Sequence, residues 1–164
     1  MSSKDLIVDP ATIDCDTISA DLEAIREFNP QRFEMEQLTA VVRDDAEAGV
    51  VIAYRDTSEA DFWVRGHMPG MPLMPGVIMC EASAQACSYL ARSHNLVGDR
   101  PLGFGGLDDV RFRGPVTPGD RLVIVAQRTR FRPGAMVVFR FQCFVGTTLV
   151  CEGQMRGVPL PSIA

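Results

Sequence analysis

Residues 75–93, PGVIMCEASAQACSYLARS, are apolar or small on nearly every side. A surface helix would carry a polar stripe at helical spacing, so this pattern predicts a buried helix over 75–93 with Pro75 in its first turn. Ala82, Ser83, Ala84, Ala86 and Ser88 are small enough to let a sheet approach closely. Elsewhere the period shortens. MEQLTAVVR and EAGVVIAYR alternate as strands do, and Asp44-Asp45-Ala46-Glu47 between them reads as a hairpin. EADFWVRG is predicted as a third short strand. PLGFGGLDDVRFRGPV leads to Thr117-Pro118-Gly119-Asp120, where Pro followed by Gly suits a type II turn. RLVIVAQRTRF, AMVVFRFQCFV and TLVCEGQMRGV follow, linked at Arg132-Pro133-Gly134 and at Gly146. Phe62, Trp63, Phe104, Phe112, Phe139 and Phe141 fall in these strands and are expected in the core. A short helix over 18–28 places Leu22, Ile25 and Phe28 at roughly helical spacing, with Ser19 as its N-cap, and ends at Asn29-Pro30. The sum is an α+β fold in which one long helix is wrapped by an antiparallel sheet of about six strands.

Composition adds bounds to this picture. A chain of 164 residues with 46 % hydrophobic content suits one domain, here 18–164, behind an N-terminal tail at 1–17. No apolar run reaches the ~20 residues that span a bilayer. The first residues are acidic and lack an apolar signal core, and the five cysteines are scattered without a Cys-x-x-Cys pair, so a cytoplasmic protein with reduced thiols is expected. With only His67 and His94 available, no zinc site is expected. Cys80 and Cys87 have no cation or base nearby in sequence, which favours packing over nucleophilic chemistry. The net charge of −5 hides an asymmetry: residues 1–61 hold fifteen acids and five bases, whereas 92–140 hold nine arginines against four aspartates. Most of those arginines are expected to be solvated or internally paired, and the remainder would suit an acidic partner. Nucleic acid fits poorly, because the total charge is negative and the few aromatics are not interleaved with the arginines.

Chemistry concentrates at HMPGMPLMPGVIMCEASAQ, residues 67–85, whose sole formal charge is Glu81. A carboxyl in the second turn of a helix is favoured by the macrodipole, while apolar neighbours favour its neutral form. Two readings follow: a general acid, or a buried glutamate paired with an arginine. Gln85 stands one turn on and can orient that carboxyl or a water. His67 is either an ordinary surface ring or a base held by a link stiffened by Pro69, Gly70, Pro72, Pro75 and Gly76. The free amides of Gly76 and Val77 at the helix start can donate to a carbonyl that gains enolate character, or to water.

GHMPGMPLMPGVIMCEASAQ resembles the motif GHFPGxPxxPGVxxxEAxAQ of the bacterial (3R)-hydroxyacyl-[acyl-carrier-protein] dehydratases of type II fatty-acid synthesis, which have the hotdog fold. LDDVRFRGPVTPGD resembles that family's later segment, and the likeness covers about residues 20–158. It implies His67 as catalytic base and Glu81 as acid, supplied by different protomers of a homodimer that often assembles as a trimer of dimers. It implies Gln85, Gly76 and Val77 in support, Phe104 in the acyl tunnel, and an acyl carrier protein whose phosphopantetheine arm brings the substrate, with no other cofactor. Arg111, Arg113 and Arg130 are the candidate carrier contacts. The chain departs from the family at Gln31-Arg32-Phe33-Glu34, and at Leu102-Gly103-Phe104, where a tyrosine is common. A CoA-thioester hydratase or thioesterase, and a non-catalytic acyl-binding subunit, are the alternatives.

Overall fold

The computed structural model describes residues 6–98 and 100–161. Among them are two α-helices, α1 (Leu22–Phe28) and α2 (Gly76–Ser93), and six strands: β1 (Ala40–Asp45), β2 (Val50–Asp56), β3 (Leu102–Phe112), β4 (Arg121–Arg132), β5 (Met136–Val145) and β6 (Thr148–Pro159). All pairings are antiparallel, in the order β1-β2-β4-β5-β6-β3. Single 3-10 turns lie at Pro10–Thr12 and Phe33–Met35.

Helix α2 lies in the curve of this sheet, against β2 through β6. Twelve of its eighteen residues are buried, as its lack of a polar stripe predicts. Ala82 and Ala86 are fully buried where the strands come close, and Phe139, Phe141, Leu122, Ile124 and Val51 fill the space around them. The turn predicted at residues 117–120 forms with Gly119 at φ +94° and Asp120 N–H donating to Thr117 O at 3.1 Å, the geometry that Pro-Gly favours.

Three expectations need correction. Helix α1 is capped by Asp21, whose Oδ1 accepts from Ala24 N at 3.0 Å; Ser19 instead pairs by its backbone with Val41. EADFWVRG forms consecutive turns. Ser58 N donates to Asp61 Oδ2 at 2.7 Å, Val64 N to Asp61 O and His67 N to Trp63 O, so a Ser-x-x-Asp turn start outweighs the aromatic content. Of the aromatics assigned to the core, Trp63, Phe139 and Phe141 are buried, but Phe62, Phe104 and Phe112 are each about half exposed.

The outer face of the sheet is also apolar at one end. Val42, Ile52, Tyr54, Val123, Val125 and Phe144 form a second cluster there, and Leu6, Ile7, Val8, Ile13 and Cys15 pack onto it. Ile7 N donates to the buried Gln142 Oε1 at 2.9 Å, fixing the segment in place. One edge of the sheet is closed as well, because Ser19 and Ala20 exchange backbone bonds with Val41 of β1. The other edge is β3.

Candidate active site

His67 and Glu81 sit at opposite ends of the Pro/Gly link, and each is fixed by a different device. Trp63, buried among the core residues, closes the turns that precede His67. After it the chain folds back, with Met68 N donating to Met71 O and Leu73 N to His67 O, while Met74 N donates to Val116 O. The His67 ring itself meets Leu73 O through Nδ1 at 2.9 Å. A carbonyl can only accept, so Nδ1 carries the hydrogen, and of the two neutral tautomers this selects the one with its lone pair on Nε2. The side chain is exposed in the single chain.

Glu81 is half-buried in the second turn of α2. Gln85, one turn on and 2 % exposed, donates from Nε2 to Glu81 Oε1 at 2.8 Å and to Met35 O at 2.6 Å. Its Oε1 accepts from Gln37 N at 2.8 Å. An N–H on one side and a carbonyl on the other leave the amide a single workable orientation, so its N–H must face the carboxyl. The arginine-paired reading of Glu81 finds no such pair among the described residues.

Pro75 caps α2 with no side-chain hydrogen bond. Ile78 and Met79 amides turn back to Pro75 O, while those of Gly76 and Val77 meet no protein acceptor among the described residues, and Val77 is 72 % exposed. The Phe112 ring lies over Gly76, where a Cβ would stand 2.7 Å from it. Phe104 lies on β3, opposite Gly157 of β6 and half exposed. No hydrogen bond joins His67 to Glu81 within one chain among the described residues.

The thiols are poor nucleophiles. A hydrogen bond with Cys151 and burial push the Cys80 thiol far up, and burial alone does so for Cys87. Among the candidate carrier contacts, Arg113 is engaged by Glu152, at 2.7 Å from its Nε. Sequence reasoning missed Leu73, Met35 and the Gln37 amide because their contribution is backbone, which leaves no trace in residue type. Asn29 was read only as a helix stop, yet its Nδ2 donates to Gln85 O at 2.9 Å.

A long helix held in a curved six-stranded antiparallel sheet defines a hotdog α+β domain. The family model for the FabA-like domain matches residues 29–154, and the chain belongs to that family. Solved structures agree on the fold. The dehydratase heterocomplex ApeI:P from Xenorhabdus doucetiae matches with TM-score 0.71 at 18 % identity, over 84 % of this chain and 91 % of that one. The sigma28-regulated virulence protein Cj0977 from Campylobacter jejuni matches with TM-score 0.63 at 13 % identity, over 92 % and 97 %. The PaaI protein of the phenylacetic acid degradation operon of E. coli matches with TM-score 0.57 at 15 % identity, over 72 % and 80 %. No helix among the described residues is long and apolar enough to cross a membrane.

Proposed function

We propose that the protein is a hydro-lyase that converts a 3-hydroxyacyl thioester, carried on the phosphopantetheine arm of an acyl carrier protein, to the trans-2-enoyl thioester. The observation that supports this reading is that two complementary groups are each held by a partner of their own, an imidazole with Nδ1 on a carbonyl and a carboxyl on the Gln85 amide. β-Elimination needs one group to accept a proton and one to deliver a proton. His67 Nε2 removes the α-proton. The electrons of that C–H bond form the new double bond, passing through an enolate whose oxygen is met by the Gly76 and Val77 amides. The C–O bond at the β-carbon breaks, and the hydroxyl leaves as water with a proton from Glu81. His67 then returns its proton to Glu81 through solvent, and the thioester survives intact.

The reading includes a dimer. An edge strand with unpaired backbone groups invites pairing unless it is blocked. β1 is blocked by Ser19 and Ala20, while β3 ends the sheet and exposes Phe104, Leu107 and Phe112. A second copy pairing along β3 would cover those side chains and bring its own groups to the site. Of the three arginines considered for the acidic carrier, Arg111 and Arg130 have no ion pair among the described residues and are the better candidates.

The test is turnover of a graded series of 3-hydroxyacyl thioesters, on carrier and on CoA, followed by enoyl thioester absorbance. Wild type should form enoyl product, and His67→Ala and Glu81→Gln should each lose about 10²–10⁴-fold in kcat while remaining folded. Release of free thiol in place of enoyl thioester would make the protein a thioesterase and refute this reading.

A further inference from the structure

Behind Gln85 lies a layer of polar side chains that the reaction as written does not use. Asn29, at the end of α1, is 3 % exposed, and Gln37, just before β1, is 1 % exposed. Both residues reach Gln85 from different elements, Asn29 by its side chain and Gln37 by its backbone. Asn29 Nδ2 donates to the Gln85 main-chain carbonyl at 2.9 Å, and Gln37 presents its backbone N–H to the Gln85 side-chain oxygen at 2.8 Å. The Gln37 side chain keeps that N–H aimed, because its Nε2 donates to Glu34 O at 2.6 Å and closes residues 34–37 on themselves.

These amides are held at a cost. Asn29 Oδ1 and Gln37 Oε1 are buried with no hydrogen-bond partner among the described residues. An apolar side chain would avoid that penalty. Each side-chain amide is therefore used for its N–H alone: that of Asn29 meets Gln85 directly, and that of Gln37 holds the 34–37 turn whose backbone N–H meets Gln85.

We propose that Asn29 and Gln37 are positioning residues that hold Gln85, and through it the Glu81 carboxyl, ready for proton transfer. The inference rests on the dehydration reading for its consequence. Gln85 occupies Glu81 Oε1 as a donor, so Oε2 is the oxygen left to meet the departing hydroxyl. If Gln85 is free to rotate, its carbonyl can face Glu81 instead and accept the proton the carboxyl must deliver, and the two carboxyl oxygens lose their distinct roles.

Two readouts test it. In the first, kcat and KM are measured for Gln37→Met, Gln85→Met and the double variant. Gln37→Met is expected to lower kcat about tenfold with KM within about twofold, and the double variant to match Gln85→Met, because the first acts through the second. Unchanged kcat in Gln37→Met, or effects that multiply in the double variant, would overturn the proposal. In the second, the Gln85 side-chain amide protons are followed by NMR hydrogen exchange. They should be protected in wild type and exposed in Gln37→Met and Asn29→Ala. Rapid exchange in wild type overturns the proposal whether or not the protein turns over substrate. A protected Gln85 amide in a wild type inactive on every 3-hydroxyacyl thioester would refute the reaction and leave the clamp standing.

Discussion

Gly76 and Gly153 each let a phenylalanine ring come close, with different consequences. At Gly153 a Cβ would stand 2.9 Å from both Phe141 and Val110, and Phe141 is wholly buried with no room to yield. Gly153→Ala should therefore destabilise by about 1–3 kcal/mol, read by denaturant unfolding. At Gly76 the ring met is Phe112, half exposed in the single chain and so less tightly packed than Phe141. Gly76→Ala should leave the unfolding midpoint nearly unchanged yet lower kcat, because the displaced ring and the shifted helix start disturb the amides proposed to meet the enolate. Equal kcat in that variant would remove those amides from the mechanism. The residue scale is also where the sequence was most legible. Glu81 and Gln85 stand four apart on a helix, a spacing that forces contact, and they do hydrogen-bond. The partner of His67 was illegible, since any residue at position 73 supplies the same carbonyl.

Among the elements, α2 was legible because an all-round apolar helix has only one place to go. The stretch 59–66 was misread because its aromatics suggest a strand, although only Trp63 is buried and the Ser58–Asp61 turn decides the path. The joint between α1 and the 3-10 turn at 33–35 was invisible for another reason: it depends on pairs far apart in sequence. Arg26 grips both carboxyl oxygens of Glu36, at 2.6 and 2.8 Å, while Arg55 donates to Glu36 O. The Arg26 guanidinium holds the Glu36 carboxyl below its ordinary value, against the opposing effect of burial. A group lowered on folding stabilises the protein above its unfolded pKa and loses that contribution as pH falls through the folded one. Glu36→Gln should therefore lower the melting temperature at neutral pH, with the gap from wild type closing in acid. A gap that persists at acid pH would show that the ion pair is not its source.

At the level of the whole molecule, the sheet has one closed edge and one open one, and the apolar outer face at the closed end is covered by residues 6–15. That covering was not legible in the sequence, because the first residues carry no periodic pattern and were set apart as a tail. The open edge carries the assembly prediction. Leu107 lies on β3 and is partly exposed, so Leu107→Lys should give a folded monomer by size exclusion, with turnover lost alongside the partner. A dimer that survives this change, with full activity, would move the interface elsewhere. Base and acid are proposed to come from different copies of the chain, and complementation decides whether they do. His67→Ala and Glu81→Gln, each inactive alone, are co-expressed with different tags so that mixed dimers form. Mixed dimers are expected to regain one intact site of two, so that an equal mixture recovers about a quarter of wild-type turnover. If the purified mixed dimer stays inactive, the two groups do not meet across subunits, and the account is contradicted.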